Sequence, residues 1–213
     1  MWFDILPSFW EGAKITIQLT LFSAVIAFFL AFLAGFGRLS KIKAVRFLAA
    51  TYVEIFRGTS LFVQLFWIYF ALPLFGIMLP KMLAGVLALS LNAGAYGSEI
   101  VRSTIISVPK GQTEAAIALN MTPWQRTWLV ILPQALVMML PAFGNLIIEM
   151  LKGTALVSLV TLADLTFVAT VLNSSIMRPT EIFSVLLVIY FVISLPFTRG
   201  IRWIEHRLSA GRY

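Results

Sequence analysis

The sequence has no cysteine, one histidine and only 9 acidic residues in 213. Without Cys there is neither a disulfide framework nor a thiolate metal site. His206 stands among Arg202, Glu205 and Arg207 and reads as a membrane-surface residue, not a general base. Glycine is nowhere followed by lysine, so the G-x-x-x-x-G-K-[ST] loop that cradles ATP phosphates is missing. No nucleophile–base pair or metal-ligand cluster can be assembled, which points away from an enzyme acting alone; no cofactor and no metal are expected. There is no low-complexity tract and no short repeat.

What remains is apolar. Hydrophobic residues make up 60% of the chain, charged residues 12%, and the mean hydropathy is +0.95. Uncharged runs cover 15–37, 61–80, 82–98, 127–148 and 182–198, each near the length a helix needs to cross a bilayer. The pattern predicts an all-α integral membrane protein with about five spans, at 13–37, 59–80, 82–106, 127–150 and 181–203. The segment 153–178 is also apolar, but Asp164 divides it, and a re-entrant or outer-surface course suits it better. Asp164 is expected to cap a surface helix there. Pro73, Gly76, Pro133, Pro141 and Gly144 fall within the spans and predict kinked helices. Met1-Trp2-Phe3-Asp4 lacks a basic start, so no cleaved signal is expected.

Basic residues orient the spans. Arg38, Lys41, Lys43, Arg46 and Arg57 follow the first; Arg102, Lys110 and Arg126 follow the third; Arg199, Arg202, Arg207 and Arg212 follow the last. Only Lys14, Lys81, Lys152 and Arg178 fall on the other face. The amino terminus is therefore expected outside and the carboxyl terminus in the cytoplasm. The pI of about 10.1 thus reflects orientation, not nucleic-acid binding. Trp2, Trp10 and Trp203 read as interfacial anchors.

Polar residues inside apolar spans are expensive and informative. Asn92, Tyr96 and Glu99 share one helix face, and Asn145, Glu149 and Lys152 share another. Each stripe includes a carboxylate three residues before a cation, Glu99 with Arg102 and Glu149 with Lys152. The Glu99 pair reads as a structural ion pair near the cytoplasmic boundary. The second stripe is open between a solute pathway suited to a zwitterion and a structural pair. Gln64 and Arg57 share a face by i, i+7 spacing with Ser60 between them, Arg57 serving as an orientation signal. Gln64 and Thr154 join Asn92, Tyr96, Glu99, Asn145, Glu149 and Lys152 as candidate pathway residues.

Between the third and fourth spans lies a polar island at 109–126. Residues 112–119 read as a short helix, Asn120 as its left-handed stop, and Thr122-Pro123 with Gln125 as the capping box of a second helix through Trp124 and Trp128. Ala115 and Ala116 are expected to give a low-profile surface on which another protein sits. Glu114 complements the dipole of the first helix.

This island resembles the cytoplasmic loop of permease subunits of binding-protein-dependent ABC importers, whose pattern is E-A-A, three residues, G, nine residues, I, one residue, L-P. Glu114, Ala115, Ala116, Leu132 and Pro133 fall in register, with Asn120 in the Gly place and Val130 in the Ile place. Glu54-Ile55-Phe56-Arg57-Gly58-Thr59 with Gln64, Gly94-Ala95-Tyr96 with Glu99 and Arg102, Gly111-Gln112-Thr113, and Lys152-Gly153-Thr154-Ala155-Leu156 resemble segments of the polar amino acid branch. The resemblance spans most of residues 10 to 205 and implies a single permease domain, 1–213, in a bacterial or archaeal inner membrane. It also implies a second permease subunit, a cytoplasmic ABC ATPase dimer that uses the ATP, and an extracytoplasmic solute-binding protein. Gly111, Glu114, Ala115, Ala116, Asn120, Leu132 and Pro133 would then form the ATPase-coupling loop. The solute would be a polar amino acid or a derivative such as an opine or ectoine. The alternative is a secondary, ion-coupled transporter, which would want midplane ionisable groups and pseudo-symmetric halves that this chain lacks. A non-transporting scaffold would leave the island without a purpose.

Overall fold

The computed structural model describes residues 2–209; Arg212, and the side chains of Trp2, Phe3, Asp4 and His206, lie outside the described residues. Helix α1 (Trp2–Leu39) runs as one piece, well past the 25 residues expected from hydropathy. One face buries Thr16, Leu19, Thr20, Ser23, Ala27, Ala31 and Ala34, while Phe29 and Leu33 point outward. The buried face is mostly small because its partner, α4 (Lys81–Ser107), comes very close. A Cβ on Gly94 would lie 2.7 Å from the Leu30 Cβ and 2.8 Å from the Tyr52 Oη; one on Gly97 would lie 2.7 Å from the Ala31 Cβ. In lipid, where apolar contact alone does not drive helices together, such backbone approach supplies the dispersion contacts that do.

Three stretches among the described residues are long and apolar enough to cross a membrane: Leu6–Leu39, Pro123–Val160 and Pro179–Glu205. Lys43–Gly58 and Leu61–Phe75 make a fourth if taken as one span bent by 104°. Helix α4 has 27 residues, but Gly, Ser and Asn dilute its hydropathy because it sits among other helices instead of in lipid.

Within the second expected span, 59–80, the helix covers Leu61–Phe75. Helix α2 (Lys43–Gly58) precedes it, and the chain then turns sharply into the short α3 (Leu61–Phe66). A π-helical turn at Trp67–Ala71 and a 3-10 turn at Leu72–Phe75 follow, ending at left-handed Gly76. The sequence hid α2 because Lys43, Arg46, Glu54 and Arg57 interrupt its apolar pattern. The 104° bend also removes the common face assumed for Arg57, Ser60 and Gln64.

Helix α5 (Lys110–Ala118) and the brief α6 (Pro123–Gln125) form the polar island. The second helix runs through Trp124 and Trp128 toward Pro133, as the sequence indicated. It continues through a π-helical turn at Arg126–Ile131 into α7 (Leu132–Gly153). Both π turns end two residues before a proline, Pro73 or Pro133. Leu72 donates to the Trp67 carbonyl and Leu132 to the Thr127 carbonyl, five residues back. Proline has no N–H and its ring crowds the carbonyl four residues earlier, and one extra residue in the turn relieves both problems.

A 3-10 turn (Thr154–Val160) leads to α8 (Leu165–Ile176) and the long α9 (Pro179–Ser209). Asp164 caps α8 as the sequence indicated, accepting from the Thr166 and Phe167 amides at 3.2 and 3.0 Å. The helix is not a surface one, however. Leu165 and Ala169 are buried with Phe9, Ala13, Ile182 and Leu186 of α1 and α9, and Asp164 itself is fully buried. Burial pushes its carboxyl up to about 6 despite the capping bonds. A larger core joins Leu19, Leu65, Leu89, Met150, Val157 and Val160 from α1, α3, α4, α7 and the 3-10 turn.

Candidate functional site

The α2–α3 bend leaves carbonyls without helical partners, and inside a membrane each must find a donor. Gln64 and Asn92 supply them. The Gln64 Nε2 donates to the Phe56 and Thr59 carbonyls at 2.9 and 3.1 Å, and the Asn92 Nδ2 donates to the Phe56 carbonyl at 3.0 Å and to the Gln64 Oε1 at 3.1 Å. Gln64 is buried at this joint and does not line an open space.

Beside the joint lies a groove of about 490 Å³ between α4 and α7. Asn92 and Tyr96 form one wall, Glu149 and Lys152 the other, with Thr59 and Ser60 at the bend. Four pathway candidates thus meet in one space. Glu149 and Lys152 form no ion pair with each other or with any other described residue. Of the two readings left open for this stripe, the Glu149–Lys152 pair is therefore the one not seen among the described residues, and both side chains lie exposed on the groove side of α7. Asn145 is exposed one turn away, off the groove lining. Thr154 is fully buried and donates to the Leu151 carbonyl at 2.7 Å, away from the groove.

Glu99 faces elsewhere. It accepts from Arg102 at 3.0 Å and from Arg38 of α1, and Arg57 lies 3.8 Å away. The expected ion pair is thus a cluster of three arginines on one carboxylate. Arg57 is more than an orientation signal, since its guanidinium also lies 5.3 Å from the centre of the Tyr96 ring. Tyr96 stands between this cluster and the groove. Distance in sequence concealed Arg38; its position at the end of α1 was the only signal.

At the polar island the local geometry follows the sequence. Asn120 has φ +54°, and the Met121 amide closes back onto the Ala116 carbonyl at 3.0 Å. The capping box is complete: the Gln125 amide donates to the Thr122 Oγ1 at 3.3 Å and the Thr122 amide to the Gln125 Oε1 at 2.9 Å. Gln134 donates to Gln112 at 3.1 Å, tying α5 to α7. Leu132 is buried, Pro133 follows the π turn, and open space surrounds Gly111. Glu114 and Ala115 are exposed, but Ala116 is only 2% exposed. Ala116 is therefore not part of a docking surface; its small side chain lets α5 pack closely on its own neighbours. The large exposed apolar residues of the island are Ile117, Leu119 and Trp124, the last two 74% and 70% exposed. In the sequence they look like ordinary helix-packing residues.

A kinked helical bundle with a polar groove and a rigid capped loop defines a membrane transport subunit. Residues 23–210 match the family of binding-protein-dependent transport system inner membrane components, and the chain belongs to that family. It is 48% identical to a probable amino-acid ABC transporter permease protein of Sinorhizobium fredii, covering 99% of this chain and 91% of that one. It is 40% identical to the L-cystine transport system permease protein of Bacillus subtilis, covering 77% and 72%. A solved structure of an amino acid ABC transporter with histidines superposes with a TM-score of 0.90 at 39% identity, covering 96% and 95%. The chain is an ABC importer permease, a multi-pass protein of the bacterial inner membrane, and not a secondary transporter.

Proposed function

We propose that this permease carries polar amino acids or their derivatives through the groove between α4 and α7, paired with a second permease subunit. The observation that carries the reading is Glu149 and Lys152 lining one groove without pairing to each other. A zwitterion brings an ammonium for the carboxylate and a carboxylate for the ammonium. Asn92 and Tyr96 on the facing wall add neutral hydrogen-bonding capacity. The relatives' names speak of amino acids and L-cystine, all zwitterions. Five crossings with the amino end outside agree with the distribution of Lys and Arg. ATP hydrolysis falls to a cytoplasmic ATPase dimer, which pushes on the capped loop at 109–126, while an extracytoplasmic binding protein delivers solute.

The test is reconstitution of the chain with its ATPase and binding protein, followed by a screen of amino acids for stimulated ATP turnover. Glu149→Gln is expected to change the solute dependence while the ATPase stays bound. An unchanged solute dependence in the variant would exclude the groove as the pathway.

A further inference from the structure

We infer that the cavity between the end of α1, the first turns of α2 and the inner part of α4 holds the phosphodiester headgroup of an anionic phospholipid. The cavity measures about 530 Å³ and is lined by Arg38, Lys43, Arg46, Phe47, Ala50 and Arg102. Four of these six are cations and none is acidic. Arg38 and Arg102 are held in place by Glu99, which Arg57 also approaches. Lys43 and Arg46 have no ion-pair partner among the described residues. One carboxylate therefore answers several cations, and an anion seated in the cavity would relieve their mutual repulsion.

Two further observations select the source of that anion. Ile42 at the N-cap of α2 provides no side-chain acceptor, so the positive end of this 16-residue helix, next to the lining residue Lys43, has no side-chain cap. Phe47 lines the cavity while 70% exposed, and Val45 and Leu48 are exposed beside it. A soluble phosphate has no use for an adjoining apolar surface, whereas a lipid lays its acyl chains there. The cavity also lies next to Leu39, where the membrane-crossing α1 ends and lipid phosphates are found.

The test uses the full chain in detergent doped with phosphatidylglycerol or phosphatidylcholine, with retained lipid counted by native mass spectrometry. Phosphatidylglycerol should be retained in preference, and Arg46→Ala should weaken that preference about fivefold, as expected for one lost cation near a lipid phosphate. Lys43→Ala should act in the same direction. Lys41→Ala removes an exposed charge that does not line the cavity and should leave the preference intact. Equal retention of both lipids, or an equal loss in Lys41→Ala, would overturn the site. Displacement of the lipid by millimolar inorganic phosphate would show a free-anion site and overturn the lipid assignment.

Discussion

Arg38 at the end of α1 donates to Glu99 of α4 across 61 positions of sequence, and the same carboxylate holds Arg102 one turn further on. This cluster locks the first helix to the central one beside the α2–α3 bend, because Arg57 at the end of α2 reaches the same carboxylate. Tyr96, stacked against Arg57, stands between this cluster and the adjoining groove.

Removing the shared carboxylate leaves three guanidinium groups facing one another. Glu99→Gln is therefore expected to lower stability by about 2 kcal/mol, the range for a charged hydrogen bond in a half-buried site. A double variant, Glu99→Gln with Arg38→Gln, should recover part of that loss, since coupled neighbours are non-additive. Thermal unfolding in detergent measures both. Losses that simply add would show that the two residues are not coupled.

The distribution of basic residues gives a topology that labelling can check. Single cysteines, placed in this naturally cysteine-free chain, should be accessible from the cytoplasm at positions 42, 112 and 208. Positions 4 and 178 should be accessible from outside. Outside labelling at position 208 would require a sixth crossing.

Ala115 and Ala116 separate docking from packing within one loop. Ala116→Arg should disturb the fold of the island itself, because overpacking a buried position costs about 1–3 kcal/mol. Ala115→Arg and Glu114→Lys touch only exposed positions and should leave stability unchanged while weakening co-purification of the ATPase. Retained ATPase in both exposed variants would move the docking surface away from Glu114.

Asp164 gives stability a pH dependence of definite sign. Its folded pKa of about 6 lies above the ordinary aspartate value near 4, so the native state binds the proton more tightly than the unfolded chain. Its contribution is fully present below about pH 4 and is lost as pH rises through 6, by about 3 kcal/mol in all. Asp164→Asn keeps an acceptor for the Phe167 amide and removes the ionisation. The variant's melting temperature should therefore fall less than that of the parent between pH 4.5 and 7.5. Identical pH profiles would mean that Asp164 is not the titrating group.

The sequence by itself determined what depends on short range. Asn120 stops α5, Thr122 and Gln125 cap the next helix, and Asp164 caps α8, because each needs only neighbours a few residues away. Apolar run lengths likewise carried the all-helical, membrane-spanning character, since a bilayer acts on each segment separately. Only the tertiary structure decided which polar residues meet. Asn92 and Glu99 share a face in α4, yet one pins the α2 bend and the other gathers Arg38, Arg57 and Arg102. The spacing of Glu149 and Lys152 suggested a pair, but packing between α4 and α7 turned both toward a groove. The turn at 59–60 was equally hidden, because the donors that make it tolerable in a membrane come from Gln64 and from Asn92 on a different helix. Periodicity tells which residues share a side of one helix; what stands opposite is set by how closely small residues such as Gly94 and Gly97 let the helices approach.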